Sequence, residues 1–187
     1  MTRRLILATA ATVGALTLSA CTTDSEPEQA PATAATHDHE SMQHDHAQDG
    51  GAPPAGIVEA ADPTYPVGTD VTVLADHMPG MEGAKGTVTG AFDTTAYAVS
   101  YTPTDGSDPV MNHKWVVHEE LENPGPAPLA DGTEVVLTAQ HMAGMSGATA
   151  TIDSSTQETV YMVDIDAEGM TMTNHKWIVE SELEPAQ

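Results

Sequence analysis

An eight-residue segment carrying one imidazole and two thioethers occurs twice in this chain. Residues 77–84 read His-Met-Pro-Gly-Met-Glu-Gly-Ala, and residues 141–148 read His-Met-Ala-Gly-Met-Ser-Gly-Ala. Imidazole and thioether groups suit soft metal ions, copper(I) above all, whereas an ordinary turn is built from Asn, Asp or Ser and has no need of methionine. The duplicated loop therefore predicts metal ligation. The predicted ligands are His77, Met78 and Met81 in the first copy and His141, Met142 and Met145 in the second.

Methionine has a second use, which leaves an alternative open. Its flexible side chain fills irregular gaps in apolar cores, so the loop methionines could instead plug the interior of a small domain. The comparison of the two copies favours metal, because the histidine and both methionines are the same in each while their neighbours differ. Pro79 corresponds to Ala143, and Glu82 corresponds to Ser146.

A second duplicated motif reads Asn-His-Lys-Trp, at residues 112–115 and 174–177. On a β-strand alternate residues share a face, so each histidine lies on the same face as the tryptophan two positions later. Trp115 and Trp177 are the only tryptophans of the chain, and we expect that face to lie against the core. His113 and His175 are then either buried, hydrogen-bonded structural residues or ligands that complete the metal sites.

The first twenty residues have the pattern of an export signal. Arg3 and Arg4 precede an apolar run at residues 5–18, which is too short for a comfortable membrane span. Residues 18–21 read Leu-Ser-Ala-Cys, which resembles a lipobox, and Cys21 is the only cysteine. We expect cleavage after residue 20 and lipid attachment at Cys21, which anchors the protein to the membrane at the cell surface or on its periplasmic side. A plain secretory signal is the alternative, and the Sec and twin-arginine routes are both open.

Residues 21–64 are predicted to be a disordered tether, since they are rich in Ala, Pro, Thr, Asp, Glu and His and poor in large apolar groups. A histidine-rich stretch in its middle is a compositional signal for weaker metal binding, with copper(II) as a candidate ion. The residues concerned are His37, His39, Met42, His44 and His46. The alternative is a solvated polar linker.

The charge of the chain limits its partners. The formal net charge is −23 at pH 7, and such a surface repels nucleic acid. We therefore expect a metal ion as the ligand, the membrane as a partner only through the lipid on Cys21, and no nucleic acid.

The duplication also sets the expected fold. Aligning residues 65–101 with 129–165, and 112–121 with 174–183, gives 21 identities in 47 positions, so the two repeats should share one fold. Short alternating segments predict strands, and no segment has a helical period. We expect an all-β protein of two tandem, small, SH3-like antiparallel barrels. The repeats are residues 65–121 and 129–183, with a Pro-rich linker at 122–128 and a tail at 184–187.

The sequence gives little support to an enzyme, because the repeats contain no cysteine nucleophile, no nucleophile elbow around a serine and no recognisable acid/base pair. Two functions besides copper binding stay open. One is a non-metal module that binds cell wall or carbohydrate, although only 4% of the residues are aromatic. The other is a zinc or nickel scavenger, which would leave the methionines unexplained.

Taken together, these motifs resemble the YdhK family of bacterial lipoproteins, whose paired domain was long of unknown function and which includes CopL-type copper-tolerance lipoproteins. The features that carry the resemblance are the lipobox, the His-rich tether and two copies of His-Met-x-Gly-Met-x-Gly-Ala, Tyr-x-Val, Asn-His-Lys-Trp and Glu-Leu. The resemblance implies an extracellular copper-binding protein that acts in copper resistance alongside a copper exporter. One departure, Asp166 to Gly169 against Thr102 to Gly106, implies that the two sites differ in affinity.

Overall fold

The structure of the protein is a computed structural model that describes residues 46–167 and 169–186. The predicted signal peptide and Cys21 lie outside the described residues, as do His37, His39, Met42 and His44 of the tether. Within the described ranges, no helix is long and apolar enough to cross a membrane.

The described residues form strands joined by turns, and their only helices are two short 3₁₀ segments, at His118–Glu120 and Glu180–Glu182. The strands are β1 (Val58–Glu59), β2 (Asp70–Val73), β3 (Lys85–Asp93), β4 (Ala96–Tyr101), β5 (Val110–Val117), β6 (Glu134–Val136), β7 (Thr149–Thr156), β8 (Thr159–Ala167), β9 (Met170–Val179) and β10 (Leu183–Pro185). The prediction of an all-β protein is confirmed.

The strands make two open antiparallel sheets. The larger has the order β10-β2-β3-β8-β9, with β1 paired to one end of β3, and the smaller has the order β5-β4-β7-β6. These open sheets differ from the two closed SH3-like barrels expected from the sequence.

Each sheet is built from both repeats. Strands β2 and β3 of the first repeat pair with β8 and β10 of the second, and β4 of the first repeat pairs with β7 of the second. The registers are equivalent: Val88 lies opposite Val163 in one sheet, and Ile152 lies opposite Val99 in the other. The repeats are therefore related by a pseudo-two-fold axis and exchange strands, whereas the sequence predicted two tandem barrels with one formed by each repeat. Equal strand patterns do not specify whether a strand pairs within its own repeat or with the other copy.

A mixed apolar cluster joins the two sheets. It contains Trp115 of β5 and Trp177 of β9, together with Phe92, Ala96, Ala98, Val117, Val160, Met162 and Val179. The Trp177 ring meets Phe92 edge to face at a centroid distance of 5.6 Å, an arrangement that aromatic pairs favour. This packing fixes β5 and β9, which carry the Asn-His-Lys-Trp motifs, relative to each other.

Part of the predicted tether is ordered against the sheets. Thr173 donates its backbone N–H to the Gln48 carbonyl at 2.8 Å, and Gly50 donates to the Thr173 carbonyl at 2.9 Å. Farther on, β1 pairs with the end of β3. Residues 46–64 thus differ from the disordered segment expected at 21–64, because backbone hydrogen bonds to strands hold them.

The strand exchange predicts that one repeat cannot fold as a monomer. A fragment of residues 129–187 should be either unfolded or a homodimer in which a second copy supplies the missing strands, since β6 and β7 on one side and β8 to β10 on the other belong to different sheets. Light scattering after gel filtration, with circular dichroism, checks this. A folded monomeric fragment would contradict the exchange.

Candidate functional site

The two histidine loops, residues 77–84 and 141–148, each begin with a histidine and continue into a tight turn of the same form. In the first loop Met81 N–H donates to the Met78 carbonyl at 3.2 Å, and in the second Met145 N–H donates to the Met142 carbonyl at 3.3 Å. Gly83 and Gly147 follow with φ values of 78° and 81°, which side chains rarely permit and glycine allows. The turns fix His77 and His141 in equivalent positions.

Each loop histidine is held by a glutamate of the other repeat. The His77 Nε2 lies 2.8 Å from Glu182 Oε1, and the His141 Nε2 lies 2.9 Å from Glu120 Oε1. The second oxygen of each carboxylate accepts a tryptophan indole N–H, from Trp115 to Glu182 at 2.9 Å and from Trp177 to Glu120 at 2.8 Å. The protein therefore contains two equivalent His–Glu–Trp relays, and each relay crosses between the repeats.

These contacts determine which ring nitrogen of His77 and of His141 carries the hydrogen and which has a free lone pair. An ionised carboxylate only accepts hydrogen bonds, so the Nε2 atoms of His77 and His141 carry the hydrogen, and a neutral ring then presents a lone pair on Nδ1. Both Nδ1 atoms are buried, and neither has a hydrogen-bond partner among residues 46–167 and 169–186. A buried nitrogen without a partner is unusual and calls for an explanation such as an absent ion. A histidine that binds a metal typically donates its other ring N–H to a carboxylate.

The strand histidines come to the same place. His113 and His175 are buried, with 9% and 4% of their surface exposed. The His113 ring lies 5.9 Å from the His141 ring between centroids, and its Nε2 is also buried without a partner. The His46 ring lies 5.9 Å from His113 and 6.2 Å from His175. His77 lies near enough to His113 and His175 to add to the effect of burial in lowering the pKa of each, and we call His46, His77, His113, His141 and His175 the histidine cluster.

The cluster holds its strand histidines neutral. Burial lowers the pKa of His175 to about 3, with the neighbouring His46, His77 and His141 adding to the effect. Burial also lowers the pKa of His113 well below its usual range, and nearby His141 contributes. Neutral imidazole is the form that ligates metals.

The carboxylates of the relays remain ionised. Burial raises the pKa of Glu120, but its interactions with His141 and the indole of Trp177 outweigh burial and lower that pKa overall. Burial raises the pKa of Glu182 as well, and the hydrogen bonds from His77 and Trp115 again lower it overall. The carboxylates can thus keep accepting the Nε2 hydrogens.

The structure separates the predicted histidines from the predicted methionines. Met81 and Met145 have no exposed surface and belong to the apolar clusters of the larger and smaller sheet, respectively. Met142 is buried in the second of these clusters, and Met78 packs against the first. The structure does not support the prediction that Met81 and Met145 are metal ligands, because the tight turns direct both side chains into the sheets. Core packing, the alternative role, accounts for both residues.

The rings of the histidine cluster are farther apart than they would be when bound to one metal ion. Within residues 46–167 and 169–186, no group of three or more His, Cys, Asp or Glu side chains is arranged to hold a metal ion. Two imidazoles on one tetrahedral ion, at a metal–nitrogen distance of about 2.0 Å, have centroids about 5 Å apart, whereas His113 and His141 are 5.9 Å apart. Ligation requires the rings to approach by roughly 1 Å, which is within the side-chain movement common on binding.

Sequence reasoning missed the glutamates of the relays. Glu120 and Glu182 occupy equivalent positions in the two repeats and are identical there, which was the available signal. They are far from the histidine loops in sequence, by 21 positions for Glu120 and 105 for Glu182, so the contact follows only from the strand exchange.

The duplicated sequence matches a known family. The profile of a family described as "Protein of unknown function (DUF1541)" matches residues 67–118 and again residues 131–180. The chain belongs to the DUF1541 family. It is 46% identical over 175 residues to the uncharacterized protein YdhK of Bacillus subtilis, and the match covers 89% of this chain and 82% of that protein.

Solved structures of that relative share the fold of this DUF1541 protein. The crystal structure of YdhK from B. subtilis is 50% identical, with a TM-score of 0.71, and covers 74% of this chain and 97% of that one. The solution NMR structure of the YdhK C-terminal domain from B. subtilis is 52% identical, with a TM-score of 0.61, and covers 64% of this chain and 92% of that one. The resemblance to the YdhK family expected from the motifs is confirmed.

The depressed pKa of His175 predicts that the metal-free protein loses stability in mild acid. Below an unfolded-state pKa of about 6.5 the unfolded chain takes up a proton that the folded chain refuses, so the free energy of unfolding falls as pH decreases. The loss should be about 1–2 kcal/mol between pH 7 and 5 for this residue. Urea unfolding in the presence of a chelator measures it, and His175→Gln should flatten the profile. Identical profiles for both proteins would contradict the depressed pKa.

Proposed function

We propose that this protein binds copper, and that the histidine cluster is the site. The observation that supports this most strongly is the pair of His–Glu–Trp relays, which leave the Nδ1 atoms of His77 and His141 buried and without partners. The Nε2 of His113 is in the same condition. Three bare nitrogens at one cluster are a donor set for a transition-metal ion.

Copper is favoured over other ions for two reasons. Among divalent first-row ions, copper(II) binds nitrogen sites most strongly. In addition, a surface depression of about 570 Å³ beside the cluster is lined by His46, His141 and Met142, and thioether is a ligand that favours copper(I). Both oxidation states are therefore compatible with the donors present.

The proposed site is a single one, shared by both repeats. His77 and His113 come from the first repeat and His141 and His175 from the second, and the rings of His113 and His141 lie 5.9 Å apart between centroids at an interplanar angle of 42°. This replaces the two separate loop sites that the sequence suggested.

The proposed role is sequestration and not catalysis. A lipid on Cys21 would hold the protein at the outer side of the membrane, where copper binding would lower the free ion available to enter and contribute to copper tolerance, as in the CopL-type proteins that the motifs resemble. A copper exporter is the expected partner.

Zinc or nickel is the second candidate ligand. It is favoured by one observation, that every bare donor atom in the cluster is an imidazole nitrogen, a ligand that suits zinc and nickel as well as copper. Competition between the ions in one titration separates the candidates. A carbohydrate or cell-wall module finds less support, because such binding uses exposed aromatic rings, and both tryptophans are buried in this structure.

Copper titration tests the site directly. In the full chain carrying His37→Ala, His39→Ala and His44→Ala, which removes the other tether histidines, we expect one copper ion per chain. Replacing His113 and His175 by alanine should abolish this binding. The volume-conserving pair Met81→Leu and Met145→Leu should leave the affinity unchanged, since both sulfurs lie in the core. Loss of copper in the leucine variant, with retention in the alanine variant, would overturn the assignment.

The relays predict a second result. Glu120→Gln and Glu182→Gln each remove the charge that fixes a histidine tautomer, and each should weaken copper binding about 10–100-fold, as is typical of partners behind a metal ligand. Glu122→Gln is the matched control, because Glu122 is exposed and its backbone N–H, which the substitution keeps, donates to the Val136 carbonyl. Equal affinities in all three variants would show that the relays do not serve a metal.

A further inference from the structure

A segment before the first repeat lies against the histidine cluster. Residues 46–52, here called the strap, are hydrogen bonded to the second repeat: Ala47 N–H donates to the His141 carbonyl at 3.3 Å, and Gly50 N–H donates to the Thr173 carbonyl at 2.9 Å. The Lys176 ammonium donates to the Ala52 carbonyl. The strap is thus anchored at both ends to the loop and the strand that carry two of the cluster histidines.

The strap places the His46 ring beside the strand histidines of both repeats. The His46 ring stacks on His113 of the first repeat, with an interplanar angle of 19°, and is tilted by 54° to His175 of the second. The His46 backbone forms an isolated antiparallel β-bridge with Met142, within the second histidine loop. The strap has no second copy in the sequence, so His46 adds one imidazole to a cluster that is otherwise two-fold.

We propose that His46 is a ligand of the bound ion and that the strap closes the site over it. This inference rests on the proposed function. His46 also lies on the rim of the depression that includes His141 and Met142, so the same residue borders the route to the cluster. While the strap is docked, a ligand that it carries slows release of the ion, and when the strap detaches the site is open. Ligation of the ion by His46 in turn stabilises the docked position of the strap.

The chain offers a way to detach the strap without altering an imidazole. A Cβ added to Gly50 would lie 2.0 Å from the Asn174 carbonyl oxygen and 3.0 Å from its carbon, and backbone atoms cannot move aside. Gly50→Ala should therefore displace the strap. A Cβ at Gly51 meets nothing within 4 Å, although φ is +68°, and asparagine tolerates that conformation better than most residues. Gly51→Asn is the matched control.

Copper(II) affinity, measured by competition with a chelator, tests the proposal in the full chain carrying His37→Ala, His39→Ala and His44→Ala. His46→Ala and Gly50→Ala should each weaken copper binding at least about tenfold. Loss of a residue that supports a ligand costs about that much, and loss of the ligand itself should cost no less. The double variant should be no weaker than either single variant, because both changes remove the same imidazole. Gly51→Asn should bind as its parent does.

Amide hydrogen exchange gives a second readout. Copper should slow exchange at Ala47 and Gly50 in the parent and in Gly51→Asn, but not in His46→Ala. If His46→Ala binds as its parent does while the His113 and His175 double variant loses copper, the role of His46 is overturned and the proposed function stands. Loss of affinity in Gly50→Ala alone would mean that the strap only covers the site, which also overturns ligation by His46. A parent that binds no copper overturns both proposals.

Discussion

The carboxylates of Glu120, which is buried, and of Glu182, which is partly buried, constrain the residues around the histidine cluster. A carboxylate removed from water costs several kcal/mol unless hydrogen bonds replace its hydration. Glu120, only 5% exposed, receives them from His141, Trp177 and the Val117 backbone. Its partners are therefore held in fixed orientations. The Glu120 carboxylate thus couples the position of the Trp177 indole in the core to the tautomer of the His141 imidazole.

This constraint depends on the exchange of strands. The glutamate of each relay follows the last strand of one repeat, and its histidine begins a loop of the other. Were the repeats folded separately, each would have to pair its own histidine and glutamate, and the shared cluster would not form. The duplication therefore yields one cluster with equivalent halves. His118 and Glu180 show where the halves have diverged, since they occupy equivalent positions and bond Tyr97 and Tyr161, respectively.

The methionines show why residue type is a weaker guide than its surroundings. Their repetition at fixed spacing suited a soft-metal loop, and it suited core packing equally well. Met81 and Met145 lie in equivalent positions under the two sheets, so duplication of the fold alone accounts for their retention. The strap shows the same dependence on surroundings for a polar segment, which is ordered although its composition predicted disorder. Main-chain hydrogen bonds to β9 do not require apolar side chains.

The sequence by itself determined the duplication, the all-β class, the family and the set of histidines that the structure brings together, because alternation along a strand and identity between copies are local properties of the chain. Only the tertiary structure decided that the repeats exchange strands, that Glu120 and Glu182 stand behind the loop histidines, and that the thioethers of Met81 and Met145 point inward. The physical reason is that two copies with the same strand pattern offer the same backbone hydrogen bonds within or between repeats. The choice is made by packing around Trp115 and Trp177 and by the hydrogen bonds that the carboxylates of Glu120 and Glu182 require, and these are contacts between residues distant in sequence.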